Sequence, residues 1–365
     1  MPRCGTGRGA AAVLVLAGAA ACASAAAAPA AAPARAAVPL ARLVGETVMS
    51  PLTGPPDAAF LARVGDGELG GVILVGHWRS SAAMAAVTRQ LQAAACSAGE
   101  PLLIGVDQEG GVVRRLPWAP PFDTPAELGR LDDAARVEQE AAAAAAALRR
   151  VGVDVDFAPV ADTLTSARSF LGSRSFGSDT AVVADLTAAF VQALQTAGIA
   201  ATAKHFPGLG TATVNTDDRA VTIRAAPGLL QRGLDPFRSA IAAGVKLVMV
   251  SSAAYPSLDA SGRPAVFSQP IVTGLLRRTL GFNGVVVSDA LDAPGAVRVP
   301  HATTLAVEAG VDLLLYTSDW VSRQGYASLL ADAAGSPALR SELARAGARI
   351  RALKAWLSAA GGPTC

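Results

Sequence analysis

Eight short apolar runs, separated by alanine-rich stretches, constrain the fold of this chain more than any other feature. The runs are residues 47–49, 72–75, 102–106, 153–157, 199–203, 246–250, 285–287 and 311–315. Between and after them lie stretches of helical character, such as residues 138–151, 181–197 and 341–357. Short apolar runs that alternate with helices are typical of an α/β protein with a parallel sheet. Eight of them predict a single-domain (β/α)8 TIM-type barrel over residues 39–360.

Polar residues follow five of these runs at their C-terminal ends. They occupy residues 107–111, 158–162, 204–205, 251–252 and 288–289. Taken alone, Asp107 or Asp289 could equally cap a helix. Five such ends together indicate a shared cleft, because the sites of (β/α)8 barrels lie at the C-terminal ends of the strands. This pattern favours a closed barrel over an open doubly wound sheet.

The fifth run ends in the cluster Lys204-His205-Phe206-Pro207-Gly208-Leu209-Gly210. Glycine and proline let the backbone turn sharply, while Lys204 and His205 supply hydrogen-bond donors. A buried histidine packed beside a turn is the plainer alternative. The cluster therefore predicts a site at this strand end.

Charge and composition argue against two classes of protein. The 31 Lys and Arg residues nearly balance the 29 Asp and Glu residues. Because no basic run interleaves with aromatic residues, nucleic-acid binding has no support. Alanine accounts for much of the 52% hydrophobic content, which does not indicate an integral membrane protein.

The N-terminal segment predicts export rather than fold. Arg3 and Arg8 precede an apolar stretch at residues 10–21 that is too short to span a bilayer, as in a secretory signal peptide. Cys22 follows it as the lipidation cysteine of a bacterial lipoprotein would, although cleavage after an Ala-x-Ala site is the alternative. We expect a signal peptide over residues 1–22 and an Ala/Pro-rich tether over residues 23–38. The protein would then contact the outer face of the cytoplasmic membrane through its lipid alone, or be secreted.

Two cysteines remain in the mature chain if Cys4 is removed and Cys22 carries lipid. An exported protein meets an oxidising compartment, where Cys96 and Cys365 are free to form a disulfide. Two separate thiols are the alternative, and the sequence leaves both open.

Five motifs, in this order along the chain, resemble glycoside hydrolase family 3. They are D-Q-E-G-G at residues 107–111, F-A-P-V at 157–160, R-S-F-G at 174–177, K-H-F-P-G at 204–208 and G-V-V-V-S-D at 284–289. The resemblance is closest to the single-domain bacterial β-N-acetylglucosaminidases and extends from residue 42 to residue 357. It implies a (β/α)8-type barrel, retaining cleavage of a terminal β-linked N-acetylglucosamine, and neither a metal nor another cofactor.

The resemblance also assigns roles by position. Asp289 matches the nucleophile, and a carboxylate suits retaining cleavage because it can form a covalent glycosyl intermediate. The residues that match those holding the sugar hydroxyls are Asp107, Arg115, Arg174, Lys204 and His205. Charged and forked donors fix a polyhydroxylated ring by oriented hydrogen bonds. Glu109 receives no catalytic role from the resemblance.

The chain departs from the family where the proton donor is expected. Members usually carry an Asp-Ser-His triplet in the loop after the K-H-F-P-G motif, and its histidine is the general acid/base. Here Asn215-Thr216-Asp217 occupies that position, and no histidine occurs between His205 and His301. The resemblance thus supplies a nucleophile and a sugar clamp but not the usual acid.

Two interpretations of this loss remain. Either Asp217 or its neighbour Asp218 serves as the acid, with its pKa raised by burial when the loop closes over substrate, or the protein is a surface sugar-binding lipoprotein with weakened turnover. We expect the hydrolase, acting on cell-wall or chitin-type fragments. A β-glucosidase built on the same barrel is a further alternative.

Overall fold

The computed structural model describes residues 10–14 and 38–365, and two compact units divide at residues 37 and 38. The predicted lipidation site Cys22 and the tether up to residue 37 lie outside the described residues. Among the residues that are described, no helix has the length and apolar character needed to cross a bilayer. The following concerns the unit that begins at Val38.

Within residues 38–365, eight parallel strands form a barrel, and each strand pairs with the next one along the chain. They are β1 (Val48–Leu52), β2 (Gly71–Leu74), β3 (Leu103–Val106), β4 (Val155–Asp156), β5 (Ala200–Phe206), β6 (Leu247–Val250), β7 (Val285–Ser288) and β8 (Leu314–Leu315). β8 pairs with β1, and a parallel bridge between Val287 and Leu313 joins β7 to β8. The predicted (β/α)8 fold is confirmed, and each strand overlaps its predicted run.

Helices follow the strands around the outside of the barrel. They are α1 (Leu40–Gly45), α2 (Ala58–Gly65), α3 (Ser81–Ser97), α4 (Pro125–Leu131), α5 (Ala134–Arg150), α6 (Thr180–Thr196), α7 (Pro227–Gly233), α8 (Asp235–Ala242), α9 (Ala302–Ala309), α10 (Asp319–Gly335) and α11 (Pro337–Ala359). A π-helix over Pro270–Thr279 lies between β6 and β7, and short 3₁₀ turns occur at Gly172–Arg174 and Ala265–Phe267. The three predicted helices correspond to α5, α6 and α11.

The strands place alternate side chains on the two faces of the barrel wall. Val285 and Val287 belong to an interior cluster with Met49, Ile73 and Leu103, whereas Val286 packs in the outer layer. Since successive strand residues point to opposite faces, a continuous apolar run is what a wall buried on both sides requires. The interior cluster includes Ile350, Leu353 and Leu357 of α11.

A disulfide joins Cys96, near the end of α3, to the final residue Cys365, with their Cα atoms 5.2 Å apart. The bond spans 269 positions of sequence. Of the two alternatives that the sequence left open for these cysteines, the structure contains the disulfide.

Candidate active site

A cleft of about 270 Å³ opens at the C-terminal ends of the barrel strands. Its lining includes seven residues that the sequence singled out for catalysis or sugar binding: Asp107, Arg115, Arg174, Lys204, His205, Asp217 and Asp289. Asp218, the alternative acid, is not part of this lining. These residues come from the ends of three strands, β3, β5 and β7, and from the connections after β3, β4 and β5, which the barrel brings to one face. The expectation of one shared cleft therefore agrees with where the structure puts these side chains.

Two cations and two carboxylates form a compact cluster on one side of the cleft. The Lys204 ammonium lies 2.7 Å from Asp107 Oδ1 and 2.7 Å from Glu109 Oε1. Arg174 donates two hydrogen bonds of 2.8 Å to the two carboxylate oxygens of Glu109. The paired bonds fix the plane of the guanidinium, because a fork of two donors matches a carboxylate.

The cluster sets the charge state of its buried members. Burial alone would raise the pKa of Glu109, but the charges of Lys204 and Arg174 outweigh it and hold that pKa at about 2. Burial likewise opposes charge on Lys204. Asp107 and Glu109 outweigh this effect of burial and raise the pKa of the Lys204 ammonium. Glu109, Arg174 and Lys204 therefore carry charge at neutral pH, which gives oriented polar groups suited to hydroxyls.

Arg115 approaches the cluster from the hairpin Gln108–Gly110 and Val113–Arg114 that follows β3. One of its terminal nitrogens lies 3.7 Å from Asp107 Oδ2. Its Nε is buried and has no hydrogen-bond partner within residues 38–365. Arg115 thus keeps donor capacity that a ligand in the cleft could use.

Asp289 follows directly after β7, and its backbone amide donates 2.8 Å to the carbonyl of Val250 at the end of β6. Oδ1 accepts a 2.9 Å hydrogen bond from the amide of Ala290. Oδ2 is buried and finds no donor in the described part of the chain. A fixed carboxylate with one uncommitted oxygen is the form that a nucleophile requires.

Asp217 lies on the loop after β5, where its side chain is exposed at the edge of the cleft. Its amide donates 3.2 Å to Asn215 Oδ1, and Asn215 Nδ2 lies 3.3 Å from Asp217 Oδ2. Partial desolvation and then repulsion from Asp289 raise the pKa of Asp217 although solvent reaches it. The shift favours the protonated carboxyl and opposes ionisation of both carboxylates together.

Two charged residues at this site received no role from the sequence. Glu109 holds Arg174 and Lys204, and buried Asp162 holds His205 through an Nδ1–Oδ2 contact of 2.8 Å. Glu109 belongs to the polar segment 107–111 and Asp162 to the polar segment 158–162. Their position at strand ends was the sequence feature that could have indicated a role. The pair of Glu109 with Arg174 spans 65 residues and that of Asp162 with His205 spans 43, so spacing alone gave no pairing.

Asp156, at the end of β4, lies beneath this cluster and is fully buried. Oδ1 accepts a 3.0 Å hydrogen bond from the amide of Gln108, and Oδ2 has no partner among the residues described. Burial raises the pKa of Asp156 well above its ordinary value. Burial thus favours the neutral form of this carboxyl beside the cluster.

Comparison with known proteins agrees with this geometry. The glycosyl hydrolase family 3 N-terminal domain matches residues 50–351. An uncharacterised secreted glycosyl hydrolase of Arthroderma benhamiae is 35% identical over 341 residues, which cover 88% of this chain and 95% of that protein. A β-hexosaminidase of Stenotrophomonas maltophilia is 38% identical over 248 residues, covering 65% of this chain and 73% of the relative.

Two solved structures share the fold. A β-N-acetylhexosaminidase from Beutenbergia cavernae superposes with a TM-score of 0.82 at 33% identity, covering 88% of this chain and all of that one. A family 3 β-N-acetylglucosaminidase from Paenibacillus superposes with the same TM-score at 31% identity, covering 90% of this chain and 64% of the other. The chain therefore belongs to glycoside hydrolase family 3 and is a glycoside hydrolase that acts on O-glycosyl bonds.

Proposed function

We propose that the protein is a retaining glycosidase that removes terminal β-linked N-acetylglucosamine, with Asp289 as nucleophile. The uncommitted, buried Oδ2 of Asp289 in the sugar-sized cleft is the observation that carries this proposal. The names of the β-hexosaminidase and β-N-acetylglucosaminidase relatives support the choice of sugar. Asp107, Arg115, Arg174, Lys204 and His205 would hold the ring hydroxyls and the acetamido group.

Catalysis would proceed in two steps. Asp289 attacks the anomeric carbon as the bond to the leaving oxygen breaks, and an acid donates a proton to that oxygen. Water then releases the sugar from Asp289. The residue that was the acid in the first step now acts as the base and takes the proton from the water. We assign that acid/base to Asp217. Repulsion from ionised Asp289 favours the protonated form of Asp217 before attack. Once Asp289 is esterified, this repulsion is lost and the ionised form of Asp217 is favoured.

A panel of aryl β-glycosides tests the sugar and the nucleophile together. Wild type should release aryl alcohol from the β-N-acetylglucosaminide faster than from the β-glucoside. Asp289→Ala should abolish release, and mass spectrometry of protein trapped during turnover should locate the glycosyl adduct on Asp289. An adduct on another residue would contradict the nucleophile assignment, and a preference for the glucoside would contradict the sugar.

The acid is tested with two leaving groups. Asp217→Ala should lower kcat on a chitobiose-type substrate by roughly 10²- to 10⁴-fold, the usual contribution of a general acid. A nitrophenyl substrate needs little protonation and should lose much less. Asp218→Ala tests the alternative acid at the adjacent exposed position, and it should keep wild-type kcat because Asp218 does not line the cleft. Equal turnover of the chitobiose-type substrate by wild type and Asp217→Ala would remove Asp217 from this role.

We also propose that the protein is exported and lipid-anchored through Cys22, otherwise secreted. The charged segment, the apolar stretch and the cysteine that follows support this, as does the description of the Arthroderma relative as secreted. Cells grown with labelled palmitate should label the wild-type protein and leave Cys22→Ser unlabelled. Label in both proteins, or in neither, would contradict anchoring at this cysteine.

A further inference from the structure

Asp162 is fully buried and uses both carboxylate oxygens to join two parts of the site. Oδ2 accepts a 3.1 Å hydrogen bond from the backbone amide of His205 and lies 2.8 Å from its ring Nδ1. Oδ1 accepts a 2.6 Å hydrogen bond from the amide of Leu209, where the loop that carries Asp217 begins. A single side chain thus binds the end of β5 and the base of the loop.

These contacts determine how His205 faces the cleft. A carboxylate only accepts, so the contact with Asp162 requires a proton on Nδ1. Because Nδ1 is committed to Asp162, Nε2 is the ring nitrogen left for a ligand in the cleft that His205 lines. Asp162 therefore selects both the orientation and the tautomer of the imidazole.

The same contacts fix the base of the loop. Leu209 is fully buried, and the carbonyl groups of Gly210 and Ala212 accept hydrogen bonds from the amides of Thr165 and Phe170. These donors belong to the segment that begins with Asp162. The base of the loop is therefore packed in place, and solvent reaches mainly its tip around Asp217.

We propose that Asp162 is a positioning residue that couples the imidazole of His205 to the loop carrying Asp217. A ligand that orders His205 then also orders the loop, and a loop held in place returns His205 to its binding orientation. The kinetic part of this proposal rests on the assignment of Asp217 as the acid, whereas the coupling itself can be measured without turnover.

Asp162→Asn tests the coupling. The variant keeps the size of the side chain but replaces one accepting oxygen with a donor, which opposes either the Leu209 amide or the His205 ring. Asp154→Asn is the matched control, because Asp154 is also a buried carboxylate that accepts from a backbone amide, at the opposite end of β4. We expect Asp162→Asn to lower kcat on a chitobiose-type substrate by about 10- to 100-fold, the scale of an ångström-sized misplacement. The control should keep wild-type kcat.

Two readouts separate coupling from loss of stability or loss of the proposed acid. The chain has three histidines, so a ¹⁵N-histidine spectrum can report the His205 tautomer, which should be Nδ1–H in wild type and altered in Asp162→Asn. Hydrogen exchange at the Leu209 amide should be at least tenfold faster in the variant. Both follow from the contacts of Asp162 even if Asp217→Ala shows that the acid lies elsewhere.

Unchanged exchange at the Leu209 amide in Asp162→Asn would overturn the coupling. Unchanged kcat of Asp162→Asn on the chitobiose-type substrate would also overturn it, provided that Asp217→Ala loses turnover of the same substrate. If Asp162→Asn does not fold, wild type decides the question. A His205 ring without a proton on Nδ1, or a Leu209 amide that exchanges as fast as the exposed loop tip, would overturn the proposal. A protonated Nδ1 and a protected amide would support it.

Discussion

Glu109 offers a quantitative test of the charged cluster through its substitution by glutamine. Its ordinary pKa of 4.5 falls to about 2 in the folded protein. A difference of about 2.5 units corresponds to roughly 3 kcal/mol of folding free energy at neutral pH, at about 1.4 kcal/mol per unit. Glu109→Gln should therefore lower the free energy of unfolding by about 3 kcal/mol at pH 7, and it should also release Arg174 and lower sugar binding.

The sign of the pH dependence follows from the lowered pKa. The stabilisation is complete above pH 4.5 and is lost as the pH falls toward 2, because the unfolded state takes up a proton over this interval while the folded state stays ionised. Urea unfolding of wild type and Glu109→Gln at several pH values from 7 to 3 measures this, and the gap between the two proteins should narrow. Glu342→Gln, which alters an exposed pair with Arg345, should stay within about 0.5 kcal/mol of wild type. A gap below 1 kcal/mol at pH 7, or one that is constant with pH, would refute the reasoning.

Three further substitutions have expected outcomes. Burial raises the pKa of Asp154 from 3.8 to about 7, so the folded state loses stability as the pH rises from 4 to 7. Over that interval the free energy of unfolding of Asp154→Asn should exceed that of wild type by a growing amount, up to about 4 kcal/mol. A difference in Tm that stays constant with pH would contradict this. Cys365→Ser should lower the free energy of unfolding by up to about 5 kcal/mol, because the disulfide closes a very long loop; equal stability of wild type with and without reductant would contradict it. In Gly210→Ala, the new Cβ would lie 1.7 Å from the carbonyl oxygen of Thr163 and displace the loop, so kcat should fall. In the control Gly228→Ala, the new Cβ has no neighbouring atom within 4 Å, so kcat should stay unchanged.

The strands could be predicted from sequence because a wall buried on both faces leaves a continuous apolar run. Helix starts were less accurate, since they depend on single capping side chains. Asp133 caps α5 by accepting from the amide of Arg136, and Ser336 caps α11 by accepting from Leu339. Both caps lie four or more residues before the helix starts that the alanine-rich pattern indicated.

The lining of the cleft could also be anticipated, but its connections could not. The residues at strand ends were evident from the order of motifs. The bond from Asp162 to His205 spans 43 residues, and the one from Glu109 to Arg174 spans 65. Such pairs arise when the barrel closes, and local sequence carries no information on them. The disulfide is similar, because it depends on where the chain terminus finally packs.

The disulfide turns most of the barrel into a covalent ring. The ring runs from Cys96 to Cys365 and contains β3 to β8, while β1 and β2 lie outside it. A protease that cuts one exposed loop within the ring leaves a single molecule of unchanged mass apart from one added water. The two pieces would migrate together on a gel without reductant and separate once it is added. The ring would keep a nicked barrel in one piece and able to re-form its cleft.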